Sequence, residues 1–210
     1  MPDFSEIDIY PVTGRSLAKG LGDEQIISAL ARGGARIVQL REKNLSGREF
    51  YELASLYRRE TRRHGMLLVI NDRVDMALAV EADGVHLGRE DMPITAARRV
   101  MGPKAIIGGS SHSIEEALGV ESAGASYVNL GPIYPTPTKP GATAIGLSAV
   151  KRAAAGAIRI PFTVMGGVTM ENIGEVVMAG ARKIGVVSAI FGAEDLEMAT
   201  KRLRGRIRGS

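Results

Sequence analysis

The chain has 210 residues, 45% hydrophobic and 24% charged, with a formal charge of +4 and no cysteine. This suits one globular domain over residues 1–210 with a real core; the missing cysteines exclude disulfides and thiolate metal sites and fit a reducing, cytoplasmic setting. No window holds the roughly eighteen apolar residues needed to span a bilayer, and the acidic, mixed N-terminus is unlike a signal peptide, so no membrane partner is expected.

Short apolar runs alternate with amphipathic stretches along the chain. Strands are predicted over residues 8–13, 36–42, 67–71, 84–87, 105–110, 127–131, 162–166 and 183–187. Helices are predicted near 24–32, 47–64, 74–81, 94–100, 113–123, 148–155, 171–179 and 193–204. Gly and Pro punctuate the junctions, as at Gly33-Gly34, Gly102-Pro103 and Ile160-Pro161. The strand runs read as continuously apolar, which indicates burial on both faces and a parallel sheet under helices. Eight such units without a linker are the count of a (β/α)8 TIM barrel. The alternative, a doubly wound sheet, lacks support because no strand is followed by the Gly-x-Gly-x-x-Gly dinucleotide turn. In a barrel, active sites lie where strands end and helices begin.

The second strand runs into Gln39-Leu-Arg-Glu-Lys43. Gln39, Arg41 and Lys43 alternate and so point to one side, where they could grip a diphosphate; the alternative is a salt-bridged loop. The third and fourth units bring Asn71, Asp72 and Asp91. Two carboxylates aimed into one space need a cation, and hard oxygen ligands suit Mg²⁺ with a phosphorylated small molecule. An N-cap at Asp72 and a solvated loop at Asp91 explain the same residues. The fifth strand ends in Ser110-Ser-His-Ser113. Ser113 with Glu116 reads as a capping box, which leaves Ser110 and His112 without a structural role, and no hydrolase triad is apparent. His64 reads as a helix-terminal residue and His86 as a strand residue.

After the sixth strand comes Gly131-Pro-Ile-Tyr-Pro-Thr-Pro-Thr-Lys-Pro-Gly141, with four prolines. It cannot be helix or central strand, and its length marks a lid or binding element; a proline-rich ligand for another protein is the alternative. Gly166-Gly167 and Val187-Ser188 end the last two strands, the usual phosphate site of a barrel, where a small extra helix can add its positive end. Lys201-Arg-Leu-Arg-Gly-Arg-Ile-Arg208 concentrates five basic residues in a tail of about residues 201–210. It reads as a helix C-terminus fraying into solvent. With no aromatic residue in it to stack on bases, no nucleic-acid partner is expected.

Taken together, Gln39-Leu-Arg-Glu-Lys43, Ile70-Asn-Asp-Arg73, Asp83-Gly-Val-His-Leu-Gly88 with Glu90-Asp91, Ser110-Ser-His-Ser113, the Gly131–Lys139 segment, Gly166-Gly167 and Val187-Ser188 closely resemble the thiamine phosphate synthase family, in order from Tyr10 to Ile190. The resemblance implies a barrel transferase that joins a hydroxymethylpyrimidine diphosphate to a thiazole phosphate, or its carboxylated form, with release of diphosphate. By position it assigns Gln39, Leu40, Arg41, Glu42, Lys43, Asn71, Ser110 and Lys139 to the pyrimidine diphosphate, with Ser110, Lys139 and Arg41 catalytic. It assigns Thr136, Pro137, Thr138, Gly167, Val187 and Ser188 to the thiazole phosphate, and Asp72 and Asp91 to Mg²⁺. It is compatible with a homo-oligomer. Gly14, Gly109, Asn129 and Met165 depart from the family's pattern. A related thiazole tautomerase is the nearest rival, and a non-catalytic thiamine phosphate-binding protein is a rival of another class.

Overall fold

The structure, a computed structural model, describes residues 3–18, 20–136, 141 and 143–209. Its eight strands are β1 (Ile9–Pro11), β2 (Ile37–Leu40), β3 (Leu67–Asn71), β4 (Gly84–Leu87), β5 (Ile106–Ser111), β6 (Tyr127–Leu130), β7 (Phe162–Val164) and β8 (Ile184–Val186). They form one parallel sheet in the order β1-β8-β7-β6-β5-β4-β3-β2. A parallel bridge between Val12 and Gln39 brings the two outer strands together, and the Thr13 amide donates to the Gln39 carbonyl at 2.9 Å. The result is the expected TIM barrel.

Helices cover the outside: α1 (Asp23–Arg32), α2 (Gly47–Arg63), α3 (Val74–Ala79), α4 (Ile94–Met101), α5 (Ile114–Ser122), α6 (Gly146–Arg152), α7 (Ile173–Met178), α8 (Ser188–Phe191) and α9 (Leu196–Arg208). Local sequence explains several starts. Ser46 caps α2 in a reciprocal box with Glu49, and Asp195 caps α9 by accepting from the Met198 amide. The helix expected over 193–204 starts after Asp195 and runs on to Arg208 as α9; ahead of it the short α8 follows β8, where the sequence allows a small extra helix. Helix α6 passes into a π-helical turn, Ala153–Ala157, which Gly156 ends at φ 92°.

The strands are less uniform than their composition suggests. Val38, Leu40, Leu68, Ile70, Val85, Leu87, Ile107, Val128 and Leu130 point outward into the main core beneath the helices. The alternate residues Ile37, Leu67, Val69 and Tyr127 point inward, with Phe4, Ile7 and Tyr10 filling the lower barrel. Each fully buried Leu, Ile or Val contributes about 1.5–3 kcal/mol relative to exposure. Higher on the same inward rows stand Gln39, His86, Ser110, Asn129 and Thr163, so the interior turns polar toward the C-terminal ends of the strands.

The basic C-terminal segment does not fray. Leu203 and Ile207 are buried, and Arg204 donates to both oxygens of Asp8 at 2.9 and 3.0 Å; Arg208 also pairs with Asp8. The apolar face of α9 and this shared carboxylate hold the helix to the foot of β1 through Arg208. Sequence composition alone could not reveal so distant a partner.

Candidate active site

A cavity of about 780 Å³ opens at the C-terminal ends of the strands. Gln39, Arg41, Lys43, Asn71, Asp72, Asp91, Ser110, Thr136, Gly167, Val187 and Ser188 all line it. Strand β2 stops at Leu40, so Arg41 and Lys43 stand in the following loop rather than on a strand. Thr13 steadies that loop: its hydroxyl donates to the Arg41 carbonyl at 3.0 Å and accepts from the Arg41 amide at 2.8 Å. The structure does not bring the side chains of Leu40 and Glu42 to the cavity. Leu40 belongs to the outer apolar core, while Glu42 is half-buried near Arg15 and Asp23, and burial raises its pKa. Pro137, Thr138 and Lys139 lie outside the described residues.

Asp72 and Asp91 meet across the β3 and β4 loops. Asp72 occupies the left-handed region at φ 61°, and its amide donates to the His86 carbonyl at 2.9 Å. Asp91 accepts from the Gly88 amide at 2.6 Å, which aims its carboxylate toward Asp72. Burial, and then hydrogen bonding and repulsion from Asp91, push the Asp72 carboxyl up to about 6. Lys43 Nζ stands 3.7 Å from Asp72 Oδ2 and only partly offsets this. Two facing carboxylates are the hard donor set that suits Mg²⁺. Among the described residues no group of three or more His, Cys, Asp or Glu side chains could hold a metal. A cation held by two carboxylates would keep positions for phosphate oxygens and water.

Ser110 and His112 do have partners. Ser110 Oγ is 2.9 Å from His86 Nε2, and His112 contacts Glu116, whose carboxylate also accepts from the His112 amide. Ser113 caps α5, accepting from the Glu116 amide at 3.0 Å, but the expected capping box is left half-formed because the Glu116 carboxylate turns to the His112 amide. The larger surprise is below the cavity floor. Gln39 Nε2 donates to Tyr10 OH at 3.1 Å, Tyr10 OH lies 2.9 Å from Tyr127 OH, and Tyr127 OH lies 2.9 Å from His86 Nδ1. Burial raises the pKa of both phenols, keeping them protonated, and lowers that of His86 to about 4, keeping it neutral. From sequence alone His86 reads as an ordinary strand residue, and neither tyrosine carries a functional signal. The period-2 positions of β4, β5 and β6 (His86, Ser110, Asn129) were the available signal.

Gly166 and Gly167, read from sequence as an anion-binding turn, have a packing reason as well. Both have positive φ, and a Cβ would stand 2.4 Å from Pro132 Cβ and 2.6 Å from Tyr134 Cβ respectively. They let the β6 loop lie against the end of β7, where Ile133 and Tyr134 amides donate to Met165 and Gly166 carbonyls at 2.9 and 3.0 Å.

The sequence matches the profile of the thiamine monophosphate synthase family over residues 9–190. The chain belongs to this family. It is 41% identical over 204 residues to the thiamine-phosphate synthase of Caldanaerobacter subterraneus subsp. tengcongensis, covering 97% of this chain and 94% of that protein. It is 45% identical over 200 residues to that of Chloroflexus aurantiacus, covering 95% and 92%. Among solved structures it resembles a thiamine phosphate pyrophosphorylase from Pyrococcus furiosus, with a TM-score of 0.88, 39% identity, and coverage of 97% and 96%. Membership of the thiamine monophosphate synthase family makes the chain a transferase.

The four residues singled out in the sequence, Gly14, Gly109, Asn129 and Met165, have local packing or hydrogen-bond partners. A Cβ on Gly109 would stand 2.6 Å from Val120 and 2.9 Å from Ile94, so the glycine admits α4 and α5 against β5. Asn129 accepts from the Thr163 hydroxyl at 2.9 Å inside the barrel. Met165 fills the space beside Gly185, where a Cβ would come within 2.4 Å of its Cε. A Cβ on Gly14 would press on Val187 at 3.0 Å.

Proposed function

We propose that this chain is a Mg²⁺-dependent thiamine phosphate synthase, coupling 4-amino-2-methyl-5-hydroxymethylpyrimidine diphosphate to 4-methyl-5-(2-phosphoethyl)thiazole, or its carboxylated form. The observation that carries this reading is the pair of facing carboxylates, Asp72 and Asp91, beside Lys43 and Arg41 at the mouth of a family barrel. Carboxylates that could share a cation, beside Lys43 and Arg41, support a diphosphate lying at this end of the cavity.

Asp72 and Asp91 are the residues that would hold Mg²⁺, which when bound supplies positive charge to the diphosphate. Arg41, Lys43 and Lys139 add further charge to the leaving group as the methylene C–O bond breaks and its electron pair departs with the diphosphate. The pyrimidine methylene is left as a cation that the ring's amino group stabilises. Gln39, Asn71 and Ser110 hold the pyrimidine, and Thr136, Thr138, Gly167, Val187 and Ser188 hold the thiazole phosphate so that its ring nitrogen faces that carbon. The nitrogen lone pair forms the new C–N bond and the thiazole becomes a thiazolium. No proton transfer and no protein nucleophile are required, so positioning supplies much of the rate. Asp72→Ala and Lys139→Ala should each lower coupling by about a hundredfold or more with an unchanged circular dichroism spectrum. Near-normal turnover in both variants would refute the assignment.

A further inference from the structure

Five side chains from five strands form one hydrogen-bonded line across the barrel: Gln39, Tyr10, Tyr127, His86 and Ser110, with successive contacts of 3.1, 2.9, 2.9 and 2.9 Å. Its two ends, Gln39 and Ser110, line the cavity, whereas the two tyrosines are buried beneath it. Each hydroxyl in the line has one proton to give, so the direction of every bond follows from its neighbour. Gln39 gives an amide N–H to Tyr10, so Tyr10 must give its proton to Tyr127. Tyr127 in turn gives its proton to His86 Nδ1. The ring then carries its proton on Nε2 and donates to Ser110 Oγ, and the Ser110 proton is free for the cavity. A doubly protonated ring would donate at both nitrogens, to Tyr127 and to Ser110, so the two halves of the line would run away from it in opposite directions and the single sense would be lost. Reversing the line requires every member to switch together, including a flip of the Gln39 amide.

In both directions the two ends present opposite senses. With the amide nitrogen of Gln39 turned inward, its oxygen is left to accept and Ser110 to donate. We infer that Tyr10, Tyr127 and His86 are positioning residues that tie Gln39 and Ser110 to opposite hydrogen-bonding senses, so that the cavity floor offers one acceptor and one donor to the neighbouring amino group and ring nitrogen of an aminopyrimidine. The ligand half of this inference rests on the proposed function; the line of bonds does not. An amino group beside an unprotonated ring nitrogen is a donor next to an acceptor, and it complements this floor. An oxo group beside a ring N–H is the reverse pattern, and it would demand the concerted switch.

The barrel is shaped to hold the line. A Cβ on Gly108 would lie 2.1 Å from Tyr127 Cζ, so a glycine there makes room for the phenol to cross the interior. Phe4 stacks beneath Tyr127 with centroids 4.3 Å apart and an angle of 22°, and His86 stacks at 5.6 Å and 28°. Replacing Tyr127 by Phe removes the oxygen and keeps these ring contacts.

The tests are an NMR measurement on free protein labelled with ¹⁵N at histidine, and steady-state kinetics with the aminopyrimidine diphosphate and its 4-oxo analogue. Wild-type His86 should carry its proton on Nε2, with Nδ1 bare and hydrogen-bonded. The hydrogen-bond shift on Nδ1 should vanish in Tyr127→Phe and persist in Tyr10→Phe, which cuts the line on the far side of Tyr127. Tyr127→Phe should raise KM for the pyrimidine diphosphate about tenfold, leave KM for the thiazole phosphate unchanged, and reduce the preference for amino over oxo substrate by a similar factor. A proton on Nδ1 in the wild type, or an unchanged preference in a folded Tyr127→Phe protein, would overturn the inference. If the wild type turns over neither substrate, the proposed function and the aminopyrimidine assignment fall together, and the tautomer still judges the line.

Discussion

The cost of keeping Asp72 and Asp91 together without a cation can be measured as a pH-dependent response to Mg²⁺. Moving the Asp72 carboxyl from 3.8 to about 6 disfavours its ionised form by about 3 kcal/mol. The side chain is 30% exposed, and solvent screening reduces that cost to about 1.5 kcal/mol. Because the folded pKa lies above the unfolded one, the associated stabilisation is full below pH 3.8 and is lost as pH rises through 6. Above that point the folded protein carries the repulsion, and a cation bound between the carboxylates would relieve it. At pH 8 and Mg²⁺ at a hundred times its Kd, binding should add about 2.7 kcal/mol, or about 5–10 °C in Tm for a chain of this size. At pH 5 the proton competes, the affinity falls about tenfold, and the same Mg²⁺ should add only about 1.4 kcal/mol, or about 3–5 °C. Thermal unfolding at both pH values, with Asp72→Asn as control, reads this directly. An equal Mg²⁺ shift at pH 5 and pH 8, or a full shift in Asp72→Asn, would refute the reasoning.

Other expectations follow from single contacts. Arg58 and Asp83 form a buried pair at 2.7 Å with side chains 8% and 12% exposed, and Asp83 also accepts from the Leu68 amide. Asp83→Ala strands the guanidinium and should cost about 3–5 kcal/mol in chemical denaturation; a loss below about 1 kcal/mol would show that the pair is not buried as described. Gly108→Ala should displace Tyr127 and raise KM for the pyrimidine substrate without touching the cavity itself, and unchanged kinetics would contradict the close approach. Leu203→Ala should cost about 2–5 kcal/mol by leaving a cavity under α9, measured by urea unfolding; a loss near zero would return that segment to a frayed tail.

The barrel was legible because its outward positions are a nearly unbroken series of Val, Ile and Leu, which sets strand count and parallel sheet together. The lining of the candidate cavity was legible where charge sits beside a strand end, at Asp72, Asp91, Arg41 and Lys43. Strand length was less legible. Gln39, Arg41 and Lys43 share a cavity even though β2 ends at Leu40, because Thr13 holds the following loop in line with the strand. The interior line of Tyr10, Tyr127 and His86 was hidden for a different reason. A tyrosine in an apolar run reads as bulk, and its hydroxyl acquires a role only when residues 117 positions apart meet, as Tyr10 and Tyr127 do. The docking of Arg204 on Asp8, 196 positions away, was hidden in the same way.

The most direct measurement of the central claim is product analysis of the purified protein given both substrates, with and without Mg²⁺. The account expects diphosphate and thiamine phosphate in equal amounts, dependent on Mg²⁺ and on the presence of both substrates. Isomerisation of the thiazole alone, or tight binding of thiamine phosphate with no turnover, would contradict it.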